Sequence, residues 1–246
     1  MVAANNAIFN TVGASISGVT NTLTVTNPSN TASSAARSTV TVGGTSAGNP
    51  TRNWNVAGST DWEMGIDNAD SQKWKLSQAT ALGTNDTIVA YKAGSVVKPR
   101  QPAFLAHLNT SVTNVTGDGT QYTVLFDTVD FDQASNYAAG TGLFTAPVTG
   151  VYSFQTSVNV NTITAANQTG RIDFIRNGTQ LYHGFTIYPG ITTIGNWVGA
   201  ITVKLTAADT FGVTITFSGS TKTNGVSGAA SFGGVYVTYF SGSLLC

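Results

Sequence analysis

Apolar residues two apart, in short runs closed by Gly, Pro and Asn, recur along this chain, and no stretch of it carries a helical period. Alternation at period two gives a strand one apolar face and one polar face, so a chain patterned this way must build sheets. Leu23 and Val25 in TLTVT and Val40 and Val42 in TVTVGG read as half-buried strands, with the turn-formers NPSNTASSAA between them. Trp54 with Val56, then Trp62, Met64 and Ile66, then Trp74 and Leu76 follow the same period, and DNADSQ between the last two runs is a turn by composition. The rest of the composition agrees. Charged residues are only 9% of the chain, against about 25% in ordinary soluble domains. Thr, Ser, Asn and Gly must therefore supply the polar surface, which suits pleated faces and tight turns. At 246 residues folding buries roughly 70% of the unfolded surface, so a core forms without disulfides. The one cysteine, Cys246, is the last residue, which leaves no intrachain disulfide and no thiol-based metal cluster.

Three regions are expected. Residues 1–18 read as an arm, polar with isolated apolar residues at Ile8, Phe9, Val12 and Ile16. Residues 19–95 read as a β-rich module, and residues 96–246 as a larger one with longer strands; YKAGSVVKPR, from Tyr91 to Arg100, marks the boundary. Three of the four tryptophans fall between Asn53 and Leu76, a region too small to bury them alone. Packing against identical neighbours around an axis is the expected remedy; an aromatic platform for carbohydrate is the alternative. The N-terminus has no positively charged region and no apolar run of signal-peptide length, so no secretory signal is expected. Membrane insertion is not expected either, because no apolar stretch approaches the ~20 residues of a spanning helix. With 11 basic and 11 acidic residues the net charge is zero, and the longest basic cluster, Lys98-Pro99-Arg100, reads as a linker. Nucleic acid, which requires cations clustered on one face, is excluded as a partner. Asn-X-Ser/Thr triplets at Asn85, Asn109, Asn114, Asn167 and Asn177 arise by chance in so Asn- and Thr-rich a chain, and no glycans are expected.

Two resemblances extend this reading. The words TLTVTN, VTVGGTSAG, WEMGIDNADS and ALGTND resemble a shaft module of tail-fibre and structural proteins of phages and other large DNA viruses, over about 70 residues. From Pro102 onward, PAFLAHL, FTAPVTGVY and YFSGSLL frame a spaced set: Phe126, Asp132, Tyr137, Phe144, Gly150, Tyr152 and Phe154. That spacing resembles the signature of the globular heads of complement component 1q and tumour necrosis factor. Only the last aromatic of the signature departs, being Thr156. The resemblance implies an all-β fold: a C-terminal jelly-roll sandwich, trimeric around a threefold axis, behind the N-terminal β-rich shaft module. The residues agree with it. Asn177-Gly178 between two alternating runs is a hairpin signal of the type I′ turn. Phe144, Tyr152 and Phe154 alternate around Pro147 and Gly150 and should face one core, with Gly150 letting the chain turn.

No enzyme is evident. His107 and His183 are too few and too separated for a zinc site, which wants three or four ligands, and no GxSxG or other motif marks a catalytic triad. Asp127, Asp130 and Asp132 in FDTVDFD are hard oxygen ligands close in sequence, of the kind that hold calcium. No EF-hand spacing accompanies them and Asp132 occupies a signature position. No metal and no cofactor is therefore expected, and the glycines punctuate strands rather than cradle phosphate.

The expected function is that of a viral, most simply phage, structural protein: a homotrimeric tail fibre or spike at the outer surface of the virion. Its arm joins other virion proteins and its head binds a glycan or protein of the host surface. A capsid decoration or head fibre that stabilises the shell is the nearest alternative. A secreted lectin-like or signalling ligand is disfavoured by the lack of collagen Gly-X-Y repeats and of a signal peptide, and a glycan-hydrolysing spike would need paired carboxylates. Receptor contact is expected from YHGFTIYPGITTIGNW, which gathers Tyr182, His183, Tyr188 and Trp197, because aromatic side chains give large amphipathic contact area. The competing reading makes Phe185, Ile187 and Trp197 strand residues facing the core or a trimer seam.

Overall fold

A computed structural model describes residues 25–59, 61–187 and 193–246. The 1–18 arm, Leu23 and Tyr188 lie outside the described residues. The first sheet has five antiparallel strands in chain order: β1 (Thr51–Trp54), β2 (Trp62–Asp67), β3 (Lys73–Ser77), β4 (Asp86–Ala90) and β5 (Val96–Val97). The DNADSQ turn forms between β2 and β3. There the Asp67 carboxylate accepts from the N–H groups of Ala69 and Asp70, and Ser71 and Gln72 take left-handed φ of 54° and 58°. TVTVGG does not form a strand. Its neighbourhood is a loop held from one side by Asn68, whose Nδ2 donates to the carbonyls of Gly44 (3.1 Å) and Ala47 (2.9 Å). Period two without a partner strand leaves the ladder groups to side chains and water.

The second unit is a two-sheet sandwich. In chain order its strands are β6 (Ala103–His107), β7 (Val112–Thr116), β8 (Gln121–Thr123), β9 (Thr128–Gln133), β10 (Tyr137–Ala138), β11 (Leu143–Thr145) and β12 (Gly150–Ile163). There follow β13 (Thr169–Arg176), β14 (Gln180–Ile187), β15 (Thr193–Leu205), β16 (Thr210–Ser218), β17 (Asn224–Val226) and β18 (Tyr239–Leu244). One sheet centres on β12, which pairs along one edge with β15 and along the other with β18 and β17; β18 continues to β6 and β9, and β17 to β7. The other runs β10-β11-β16-β13-β14, with β8 also on β16. The crossings between sheets, rather than neighbours in sequence, give the jelly-roll order. The described residues contain one helical turn, a 3-10 turn at Ala229–Phe232, so the all-β expectation holds.

The core lies between the sheets and is largely aromatic. Phe104, Phe126, Phe144, Tyr152, Phe154, Phe211, Phe217 and Phe240 are fully buried. Their rings interlock, Phe154 stacking on Phe211 at 4.4 Å and Phe104 meeting Phe240 edge-on at 5.0 Å. Gly242 exists to make room: a Cβ there would stand 2.4 Å from Phe154 Cδ1. Gly150 corrects the sequence reading in the same way. It has no positive φ; a Cβ would meet Leu244 Cδ1 at 2.7 Å and the Cys246 carbonyl at 2.8 Å, so close approach of the C-terminal strand, not a turn, demands glycine. At the β13–β14 hairpin Asn177 and Gly178 have φ of 52° and 69°, and Thr179 N–H donates to the Arg176 carbonyl. That is the expected primed turn.

Candidate functional site

Of the sequence-derived contact residues, Tyr182, His183 and Trp197 are described; they lie on the edge strands β14 and β15 and do not share a surface. Tyr182 on β14 is half-buried and faces inward, its ring 5.9 Å from that of Phe211. Trp197 on β15 also faces inward, 6.3 Å from Phe217. Both pack against the core cluster. His183 points the other way and is 51% exposed. A bulge sets this up: the β13–β14 register shifts between Ile172 and Asp173, and His183 comes opposite Asp173.

There His183 Nδ1 lies 2.8 Å from Asp173 Oδ1, and Nε2 lies 2.6 Å from Thr186 Oγ1. Asp173 is itself buried, its other oxygen held by Arg171 at 2.9 Å. The carboxylate–imidazole–hydroxyl order is that of a nucleophilic relay, but Arg171 already neutralises the acid. The four main clefts among the described residues are lined by neither His183 nor Thr186. The arrangement fixes the imidazole on the outer surface with both ring nitrogens engaged, leaving its carbon edge and faces toward solvent.

A second cluster escaped the sequence reading. His107 faces outward from β6, as the alternation Ala103, Leu105, His107 requires, yet it is buried. The Tyr236 ring covers it, stacked at 3.8 Å. Asp130 joins both, with Oδ2 2.8 Å from His107 Nδ1 and Oδ1 accepting from the Tyr236 hydroxyl at 2.7 Å. Asp130 reaches them because the β6–β9 pairing is bulged: Leu105 pairs with Phe131 and Ala106 with Val129, so Asp130 is the extra residue. Burial raises the Asp130 carboxyl, but the hydrogen bonds from Tyr236 and His107 outweigh it and hold it below the ordinary carboxylate value. The same bond raises the Tyr236 phenol. The legible signal was the outward parity of His107 beside FDTVDFD; the bulge was not legible.

The three aspartates of FDTVDFD do not converge. Asp127 accepts from the N–H groups of Asn109 and Thr110, and Asp132 from those of Asn136 and Tyr137. Asp127 thus ties down the loop after β6, Asp132 closes the β9–β10 turn, and Asp130 belongs to the His107 cluster. Asp132, Phe126, Tyr137, Phe144, Tyr152 and Phe154 all serve the sandwich: one closes the β9–β10 turn and the others fill the core. Thr156, at the departing signature position, turns its hydroxyl to the Tyr239 carbonyl at 2.9 Å and so ties β12 to β18 where a ring would have packed.

The C1q domain family matches residues 103–245. No curated protein matches the chain. Among solved structures, the globular domain of zebrafish complement 1qA protein is 17% identical at a TM-score of 0.42, over 59% of this chain and 98% of that one. Murine APRIL at pH 8.5 is 11% identical at 0.41, over 59% and 99%. The Eiger TNF of S. frugiperda is 12% identical at 0.39, over 60% and 94%. The five-stranded N-terminal sheet lies outside the family match.

Proposed function

Because this chain belongs to the C1q domain family, we propose that it is a non-catalytic homotrimeric binding protein of a virus particle, a fibre or spike whose heads meet the host surface. One observation carries the assembly part of the reading. The outward face of the β12 sheet is nearly free of charge: Phe131, Leu105, Ser241, Gln155 and Ala200 lie in register across it, and Ala103, Ser243, Ser153 and Thr202 form the next row. Phe131 and Val198 on this face are more than half exposed. A face of small, neutral and apolar side chains loses little on desolvation and gains from burial, which suits packing of like copies around an axis.

The viral setting rests on the shaft-like words of residues 22–86. In this reading the 1–18 arm joins the particle, the region 181–197 meets the host, and His183 and Tyr188 are the contact side chains. Tyr182 and Trp197 hold the supporting strands from inside. Electron microscopy of purified particles with a gold-labelled antibody against the head tests it. Gold on surface projections is expected; head antigen found only free in the medium, with bare particles, would replace this reading with that of a secreted ligand.

A further inference from the structure

The N-terminal sheet has its faces the wrong way round for a layer that stands alone. Direct cross-strand pairing puts Ile66, Trp74, Ala90 and Val96 in one row, Met64, Leu76 and Ile88 in the next, and Trp54 opposite Trp62 in the third. This is the apolar face, and it is the open one: Trp54, Trp62 and Trp74 are 49%, 39% and 38% exposed. The opposite face carries Glu63, Asp67 and Lys75, all buried. Lys75 Nζ there sits 2.8 Å from Asp67, 2.8 Å from Asp70 and 3.2 Å from Asp86. Charges are inside and tryptophans outside.

We infer that this apolar face is a contact between copies of the chain, three of them turning their tryptophan faces to a common axis so that the N-terminal sheets close into a prism. The inference rests on the trimer reading and adds a second, independent seam to it. Charge supports a like partner: the central rows carry no charged side chain, and the exposed Arg52 on the outer strand and Lys92 beside Ile66 stay at the rim, so identical faces meet without burying like charges. Area supports it too. Three indoles at those exposures leave on the order of 300 Å² in water, and the aliphatic rows bring the patch to about 500 Å², near the upper limit for a patch that a monomer leaves open. Three such faces together remove on the order of 1,500 Å², about 500 Å² for each pair, which is less than a self-sufficient interface and so works as a second seam beside that of the heads. Continuity is the third support. Val96 and Val97 line one groove with Ala103 and Ser243, which belong to the neutral outward face of the head, so a single axis can serve both.

The test uses the full chain carrying Trp197→Phe, which leaves Trp54, Trp62 and Trp74 as its only tryptophans, with mass by sedimentation and indole exposure by acrylamide quenching. A trimer with shielded indoles is expected. Ile66→Glu with Val96→Glu, and Val96→Glu alone as a change too exposed to unfold the sheet, should raise quenching several-fold, with or without loss of the trimer. A wild-type trimer whose indoles are quenched as readily as those of the variants overturns the inference and leaves the head trimer standing. Removal of residues 1–24 that exposes the indoles of an intact trimer overturns it in favour of the chain's own N-terminal segment as the cover. A wild-type monomer with exposed indoles overturns both seams.

Discussion

At the scale of residues, every aspartate of the sandwich is held by a hydrogen bond, and the His107–Asp130–Tyr236 cluster carries a readable pH signature. Burial alone would raise the Asp130 carboxyl; the Tyr236 and His107 hydrogen bonds more than offset that, so its folded value lies below the ordinary 3.8. A carboxylate depressed by folding contributes stability that is complete above its unfolded value and is lost as the pH falls through the folded one. Asp130→Asn should therefore cost roughly 1.5–3 kcal/mol at neutral pH, the range for hydrogen bonds to a charged group. The gap to wild type should narrow below about pH 4 as the native carboxyl protonates. Urea midpoints of both proteins across that range check it. A gap of the same size at pH 3 and pH 7 would mean that packing under the Tyr236 ring, not the charge, is what Asp130 supplies.

At the scale of elements, the N-terminal sheet depends on Lys75. Burial disfavours its ammonium, yet hydrogen bonds to Asp67, Asp70 and Asp86 raise its pKa well above the ordinary lysine value, so it stays charged wherever the sheet is folded below strongly alkaline pH. Lys75→Met strands the buried Asp67 and the nearly buried Asp86 without a counter-charge, and the expected loss is about 3–5 kcal/mol. Tryptophan emission should report that melting of the N-terminal sheet ahead of the sandwich, and an unchanged first transition would refute it. The alternation at Trp62, Met64 and Ile66 made these strands legible, and Asn177-Gly178 and the Phe144–Tyr152–Phe154 set did the same for hairpin and core. What period two could not reveal was sidedness. A polar face becomes the inner one only because the turn at Asp67–Asp70 and the start of β4 bring carboxylates onto Lys75, and those meet through tertiary folding. The candidate site failed to read out for a related reason. Tyr182 and Trp197 take inward parity while His183 faces out, and the β13–β14 bulge that pairs His183 with Asp173, like the one that aims Asp130, adds a residue no pattern announces.

At the scale of the whole molecule, assembly should be nearly blind to salt. The chain has no net charge and a pI near 6.7, so three copies near neutral pH repel one another little at long range. The outward rows of the β12 sheet hold Ser, Gln, Thr, Ala, Leu and Phe. Asp130, beside them, is engaged by Tyr236 and His107, and Lys204 near one end of β15 is the charge left on that strand. Interfaces built on ion pairs weaken as the Debye length falls from about 10 Å to about 3 Å between 0.1 M and 1 M salt, whereas burial of apolar and neutral groups does not. Sulfate, excluded from protein surface, strengthens such burial. Sedimentation at micromolar concentration should therefore give three times the 25.4 kDa chain mass at low salt and at about 1 M NaCl, and the trimer should persist to higher dilution in sulfate. Dissociation on adding NaCl would show that ion pairs hold the copies together, and would move the seam off the neutral faces of both sheets to the charged edges of the chain.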